Sequence, residues 1–162
     1  EVEHGLLANE CDAGLTYLDH EAPTDVLSVS LYAEQYRVLI RKKPRWQGRA
    51  TISIAEAVEL PLCLLNQGMQ NRRILDARMA ERGFALSPRA TADSYVALMA
   101  MVEADACATI IPDRYIELLP ALPWAHVMDF EEPIGSSRIG LVVSDRTPLA
   151  PLASAAMKPH TG

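Results

Sequence analysis

Only one stretch of this chain offers a ready place for a ligand: Asn66, Gln67, Gly68, Met69, Gln70, Asn71, Arg72 and Arg73, a polar loop containing a glycine hinge. It lies between the apolar run Pro61 to Leu65 and a stretch with helical patterning that closes near Gly83. A buried strand that stops in such a loop and turns at once into a helix leaves unpaired backbone N–H groups and the positive end of the helix dipole at one mouth. That suits a carboxylate or an oxyanion, with Arg72 or Arg73 nearby to neutralise it. The stretch holds no nucleophile beside a base, so its chemistry is binding and not catalysis.

Other reactive residue types form no working set. His4, His20, His126 and His160 fall in no metal-ligand spacing and pair with no local Ser or Cys, so they read as exposed or structural. There is no Gly-x-Gly-x-x-Gly and no phosphate loop. Glu131 and Glu132 flank a proline turn and read as a solvated face. Cys11, Cys63 and Cys107 are odd in number and far apart in sequence, with no Cys-x-x-Cys. They are expected as three reduced, buried small residues. A redox-active thiol would need basic neighbours, and only Cys63, one loop from Arg72 and Arg73, suggests any. The cluster Arg41, Lys42, Lys43, Pro44, Arg45 with Trp46 reads as a solvated turn in a chain whose net charge is −6. That charge argues against the chain itself gripping a phosphate backbone. No cofactor or metal is expected, and enzymology is the weaker hypothesis.

The elements that position these residues can be read from patterning. Leu6 and Leu7 end a helix that passes through a polar turn into a strand at Ala13 to Leu18, and Asp19 to Asp25 with Pro23 is a loop. Val26 to Ile40 is extended. Ser53 and Glu56 form a capping box, so a short helix begins at Ser53 and must stop before Pro61. Pro61 to Leu65 is a wholly apolar strand, suited to a parallel sheet covered on both faces. The helix after the loop buries Ile74, Leu75 and Met79, with Gly83 as its terminator. Asp93 or Ser94 caps the next helix, Cys107 to Ile111 is a buried strand ended by Pro112, and Asp113 caps a short turn. Val127 to Phe130 and Arg138 to Val143 are strands. Leu149, Leu152, Ala153, Ala156 and Met157 follow helical spacing behind Pro151. The alternation of strands and helices predicts an α/β fold with a largely parallel sheet. With 162 residues the chain is one domain or two small lobes. No apolar run is long enough to span a membrane, and the acidic first residues do not read as a secretory signal.

In order along the chain, Asn9 to Leu15, Leu31 to Tyr36, Ile52 to Glu56 leading to Pro61 to Leu65, Arg72 to Gly83, the Asp93-Ser94 helix, Val102 through Ile110-Ile111-Pro112, Ile139 to Val143, and Pro148 to Leu152 resemble the effector-binding domain of LysR-type transcriptional regulators. The resemblance implies an α/β fold of two lobes, like type 2 periplasmic binding proteins, with crossing strands near Leu31 to Ile40 and Arg138 to Val143. Residues 1–40 and 131–162 would form lobe one, incomplete in this chain, and residues 41–130 lobe two. Carried over, effector-binding residues would be Thr16, Asn66, Gln67, Gly68, Met69, Gln70, Arg72, Ile111 and Pro112.

The function implied is cytoplasmic sensing of a small molecule by a homodimer or tetramer, and the helix start at Gly68-Met69 with Arg72 or Arg73 nearby favours a small anion, a carboxylate or oxyanion, as that molecule. DNA would be contacted only through an N-terminal helix-turn-helix domain absent from this sequence. The sequence departs from the family at Asp105 and Cys107, where glycines are usual, and it offers barely ten residues ahead of the Asp12-Ala13-Gly14 region, which reads as an N-terminally shortened piece. Two alternatives are a stand-alone periplasmic-type solute-binding protein and a small cysteine-dependent enzyme.

Overall fold

A computed structural model describes residues 2–8, 10–19, 26–118 and 122–145. By internal contacts the chain divides into two compact units, one from Glu1–Glu34 with Ser137–Gly162 and the other Gln35–Ser136. The expected helix over Leu149 to Met157, together with His20, His160 and the loop through Pro23, lies outside the described residues.

The first unit holds α1 (Val2–Leu7), β1 (Ala13–Tyr17), the first part of β2 (Val26–Arg41) and most of the last strand. That last strand, Ser136–Ser144, pairs antiparallel with β1, Thr16 standing opposite Gly140. A small core of Leu6, Val26 and Val142 fills the unit. Gly140 is required by close approach: a Cβ there would stand 2.6 Å from the carbonyl oxygen of Val29. Across the same unit the Tyr17 hydroxyl donates to the Glu34 carboxylate at 3.0 Å.

The second unit continues β2, then has a 3-10 turn at Pro44–Trp46, β3 (Thr51–Ile52), α2 (Ile54–Val58), β4 (Cys63–Leu65), α3 (Gln70–Ala80), β5 (Ala90–Ala92), α4 (Tyr95–Glu103), β6 (Thr109–Pro112), α5 (Asp113–Glu117) and β7 (Ala125–Phe130), with β8 (Ser136–Ser144) leaving it. Residues alternate sides along each buried strand. Val38 and Ile40 of β2, Leu62 and Leu64 around β4, and Ile110 of β6 face a core shared with α2 and α3. Leu39, Cys63, Leu65 and Ile111 face the opposite core, closed by Leu98, Met99 and Val102 of α4. The expected double covering of the Pro61 to Leu65 run is therefore what the structure shows.

The expectation of a largely parallel sheet is corrected. β4 runs parallel to β5, β3 runs parallel to β7, and a parallel bridge joins Leu62 to Ala108. The long β2, however, pairs antiparallel with β6 and with β7, and β1 pairs antiparallel with β8, so the sheets are mixed. Alternating strands and helices specify parallel neighbours only where a helix makes the crossover. β2 and β8 enter without one.

Local signals behave as their chemistry requires. Ser53 caps α2, accepting from the Glu56 N–H at 3.2 Å while the Glu56 carboxylate accepts from the Ser53 N–H at 3.3 Å. Gly83, with φ of +80°, follows the last turn of α3, in a conformation that glycine adopts at little cost. Ser94 and not Asp93 caps α4, accepting from the Ala97 N–H. Asp113 is already inside α5, whose cap is Pro112; its carboxylate accepts instead from the Gln35 N–H at 3.1 Å. Among the described residues no helix is long and apolar enough to cross a membrane.

Candidate functional site

Three strands of the second unit end at helix starts. β4 stops at Leu65 and α3 begins at Gln70; β5 stops at Ala92 and α4 begins at Tyr95; β6 stops at Pro112 and α5 follows at once. The first two strands are parallel neighbours, and the bridge from Leu62 to Ala108 ties the approach to β6 alongside them in the same direction. Their carboxyl ends consequently form one rim, the position at which open α/β sheets bind ligands.

Hydrogen bonds knit that rim together. The Asn66 N–H donates to the Ala92 carbonyl at 3.1 Å, and the Asn66 amide donates to the Asp93 carboxylate. The Met69 N–H donates to the Asn66 carbonyl at 3.0 Å, closing the turn before α3. On the first turn of α3, Asn71 accepts from the Tyr36 hydroxyl, at its carbonyl (3.1 Å) and at Oδ1 (3.2 Å). The Tyr95 hydroxyl donates to the same Oδ1. Tyr95 also packs its ring on Tyr115 of α5, centroids 4.4 Å apart. Sequence reading includes Asn71 in the loop stretch but misses Tyr36 and Tyr95 as its partners, because their convergence depends on packing across 24 to 35 residues.

The predicted site residues separate into groups. Gln67, Gly68 and Gln70 are exposed, and Asn66 and Met69 are half-buried, so this loop does open to solvent. Met69 caps α3 with no side-chain hydrogen bond, leaving the first N–H groups of an 11-residue helix without the capping atom that Ser53 and Ser94 supply elsewhere. Gly68 is not a conformational hinge: it has no positive φ, and a Cβ added there would meet nothing within 4 Å.

Arg72 does not offer its charge to a ligand, which corrects its expected role. It is 2% exposed, its Nε donates to Asp76 at 2.8 Å, and its Nη1 donates to the Leu65 carbonyl at 2.8 Å. A buried guanidinium must satisfy its donors internally, and this one fixes the end of β4 to α3. Arg73 is the exposed neighbour. Ile111 (0% exposed) points into the core with α4, and Pro112 is buried opposite Tyr36. Both shape the rim from beneath. Thr16 belongs to β1 of the other unit, half-buried and paired through its backbone with Gly140.

Remaining candidates are accounted for by structure. His126 Nε2 donates to the Arg49 carbonyl at 2.7 Å, which fixes its tautomer. Trp46 has two guanidinium groups against its ring, Arg45 at 4.8 Å and Arg49 at 5.5 Å from the centroid. Among the described residues, no group of three His, Cys, Asp or Glu is placed to hold a metal ion. Cys63 and Cys107 overturn the expectation of three reduced cysteines: 44 residues apart in sequence, they are joined in a disulfide with Cα atoms 5.8 Å apart. Cys11 is free and exposed, not buried.

Residues 1–158 match the family described as LysR substrate binding domain, so the chain belongs to that family. Solved structures agree on the fold. Full-length OxyR from Pseudomonas aeruginosa, in a cysteine-to-aspartate variant, superposes with a TM-score of 0.79 at 20% identity, covering 94% of this chain and 52% of that one. A hydrogen-peroxide-bound cysteine variant of OxyR from Corynebacterium glutamicum gives 0.72 at 21%, covering 89% and 46%. HinK, a LysR family transcriptional regulator from Pseudomonas aeruginosa, gives 0.75 at 17%, covering 95% and 53%. The chain thus spans about half the length of these proteins. No curated protein matches.

Proposed function

We propose that this chain is the effector-sensing domain of a cytoplasmic LysR-type bacterial transcriptional regulator, and that it senses and does not catalyse. A small carboxylate or oxyanion binds at the rim where β4, β5 and β6 end, held by the N–H groups at the start of α3, with Gln67 and Gln70 as polar neighbours and Arg73 as the nearby cation. The observation that carries this reading is the open start of α3 at an exposed loop, on the rim where this fold class binds ligands. The effector acts by its differential affinity for one arrangement of the domain, which shifts the population toward it. In the whole regulator that shift would reach a DNA-binding domain outside this sequence, in a homodimer or tetramer.

Gly68→Trp tests the site directly. The position has open space around it, so the fold tolerates the side chain while the indole covers the start of α3. Thermal unfolding is measured against a panel of small mono- and dicarboxylates, sulfate and phosphate. A ligand that raises Tm in the parent and loses its effect in Gly68→Trp supports the assignment. An equal rise in both proteins removes this loop from the site, and no rise with any compound removes the anion preference.

A further inference from the structure

The basic stretch from Arg41 to Arg49, expected as a solvated turn, is wrapped round a hollow in the second unit. Lys42, Lys43, Pro44, Gln47, Gly48 and His126 line a cavity of about 410 Å³. That volume falls within the roughly 300 to 1,000 Å³ typical of small-molecule sites. The cavity lies away from the effector rim. Along β2, Tyr36 pairs with Pro112 at the rim, and Arg41 pairs with Ala125 about 17 Å further on, beside the cavity.

Contacts that leave hydrogen-bonding capacity to spare hold its walls. Lys42 Nζ donates to the Pro123 carbonyl at 2.8 Å, which uses one of three ammonium protons and cancels none of the charge. Lys43 Nζ is 2.7 Å from the carboxylate of Asp105, whose φ of +60° is uncommon for a residue with a side chain. Residues Trp46 to Arg49 make a type II turn. Gln47 has φ −59° and ψ 126°, Gly48 has φ +79°, and the Arg49 N–H donates to the Trp46 carbonyl at 3.1 Å. Glycine is what lets the chain turn there. Because His126 Nε2 donates to the Arg49 carbonyl, Nδ1 of that ring is left as an acceptor. The end of β2, the turn and the start of β7 are thereby fixed to one another.

Charge sets the sign of the ligand. Of the five cations from Arg41 to Arg49, Lys43 and Arg49 have carboxylate partners, Asp105 and Glu56. Arg41 donates to the Glu103 carbonyl, and Arg45 rests on the Trp46 ring. Together with Lys42 they have no carboxylate partner among the described residues, a local excess of positive charge in a chain whose net charge is −6. Ammonium groups bind as point charges with rotating donors, which suits the tetrahedral oxygens of a phosphate better than the planar edge of a carboxylate. A phosphate monoester carries about −1.5 to −2 near pH 7, enough to answer both lysines. Inorganic phosphate would fill only a small part of the hollow, and Gln47 and His126 add neutral hydrogen-bonding groups beside the cations. We propose that this cavity binds a small phosphate monoester bearing hydroxyl groups, a phosphorylated polyol or sugar, with Lys42 and Lys43 on the phosphate and Gln47 and His126 on the hydroxyls.

The test titrates the full chain by calorimetry at low ionic strength with glycerol 3-phosphate and ribose 5-phosphate, and with glycerol, ribose and inorganic phosphate as controls. An ester should bind, the polyols should not, and inorganic phosphate should bind about tenfold more weakly than the better ester, the cost of the missing hydroxyl contacts. Lys42→Gln with Lys43→Gln should weaken the ester by roughly tenfold or more, as expected when charge-assisted hydrogen bonds are lost. Gly68→Trp should leave it unchanged, since that side chain covers only the rim. In the parent protein the ester should also shield Lys42 and Lys43 from acetylation, read by peptide mass spectrometry, a measurement that needs no variant to fold. The proposal is overturned if neither ester binds, if inorganic phosphate matches both, if the double substitution changes nothing, or if Gly68→Trp abolishes binding. Shielding of the two lysines by a DNA duplex and by neither ester would overturn it as well, and would make this face a contact for a nucleic-acid backbone.

Discussion

Two helix starts in the second unit are built in opposite ways. α2 is closed on itself: Ser53 and Glu56 satisfy each other's N–H groups, and Arg49 adds a two-pronged ion pair to Glu56, both contacts 2.9 Å. α3 is left open, with Met69 at the cap and no side-chain acceptor. Its anchoring comes from side chains within that same first turn, where Arg72 grips Leu65 and Tyr36 and Tyr95 grip Asn71. A helix whose first N–H groups are capped has finished its local chemistry. One held from its flank can keep those groups for something else.

The contrast can be broken at several points. Arg72→Met should have the largest effect, lowering unfolding free energy by about 3 kcal/mol in urea titrations, because the Leu65 carbonyl and Asp76 lose their buried partner. A change below about 0.5 kcal/mol would mean that Arg72 is not an anchor. Ser53→Ala should cost about 1 kcal/mol through loss of the α2 cap. Met69→Asp should go the other way, adding about 1 kcal/mol by supplying α3 with the cap it lacks. It should also weaken any anion that raises the parent's Tm. Stabilisation without loss of ligand response would separate the helix start from the site.

The ion pair at α2 also predicts a pH dependence. The hydrogen bond from Arg49, followed by that from the Ser53 N–H, lowers the Glu56 pKa from 4.5 to about 2. The native carboxyl thus holds its proton less tightly than the unfolded one, so its contribution is fully present above pH 4.5 and is lost as pH falls toward 2. Denaturant titrations of Glu56→Gln across that window should show a shallower acid loss than the parent. Equal slopes would mean that the pair is absent in solution. Gly68→Ala should have the smallest effect, within about 0.5 kcal/mol, since nothing crowds the position and its φ is not left-handed.

These features differ in how far the sequence reveals them. The capping box and the Gly83 terminator are legible because their chemistry is complete within a few residues. The loop at Asn66 to Gln70 is legible as an opening, since a strand ending in a polar run before a helix constrains the backbone strongly. The role of Arg72 is not: whether an arginine faces solvent or a carbonyl depends on how the helix rolls onto the preceding strand. The Cys63–Cys107 pairing depends on parallel alignment of segments 44 residues apart, which no local pattern encodes. The mixed sheet escaped for a related reason, because strand direction is set by the path of β2, not by composition.

α3 is tied at its far end as firmly as at its near one. Arg78 donates to the Ser136 carbonyl at 2.7 Å, Arg82 donates to the Pro133 carbonyl at 3.2 Å, and the Arg78 guanidinium sits 3.3 Å from where a side chain on Gly135 would begin. Clamped at both ends, eleven residues of helix act as a stiff rod roughly 16 Å long. The rod thus links the loop before Gln70 to the turn 131–135, the point at which the chain is about to become β8.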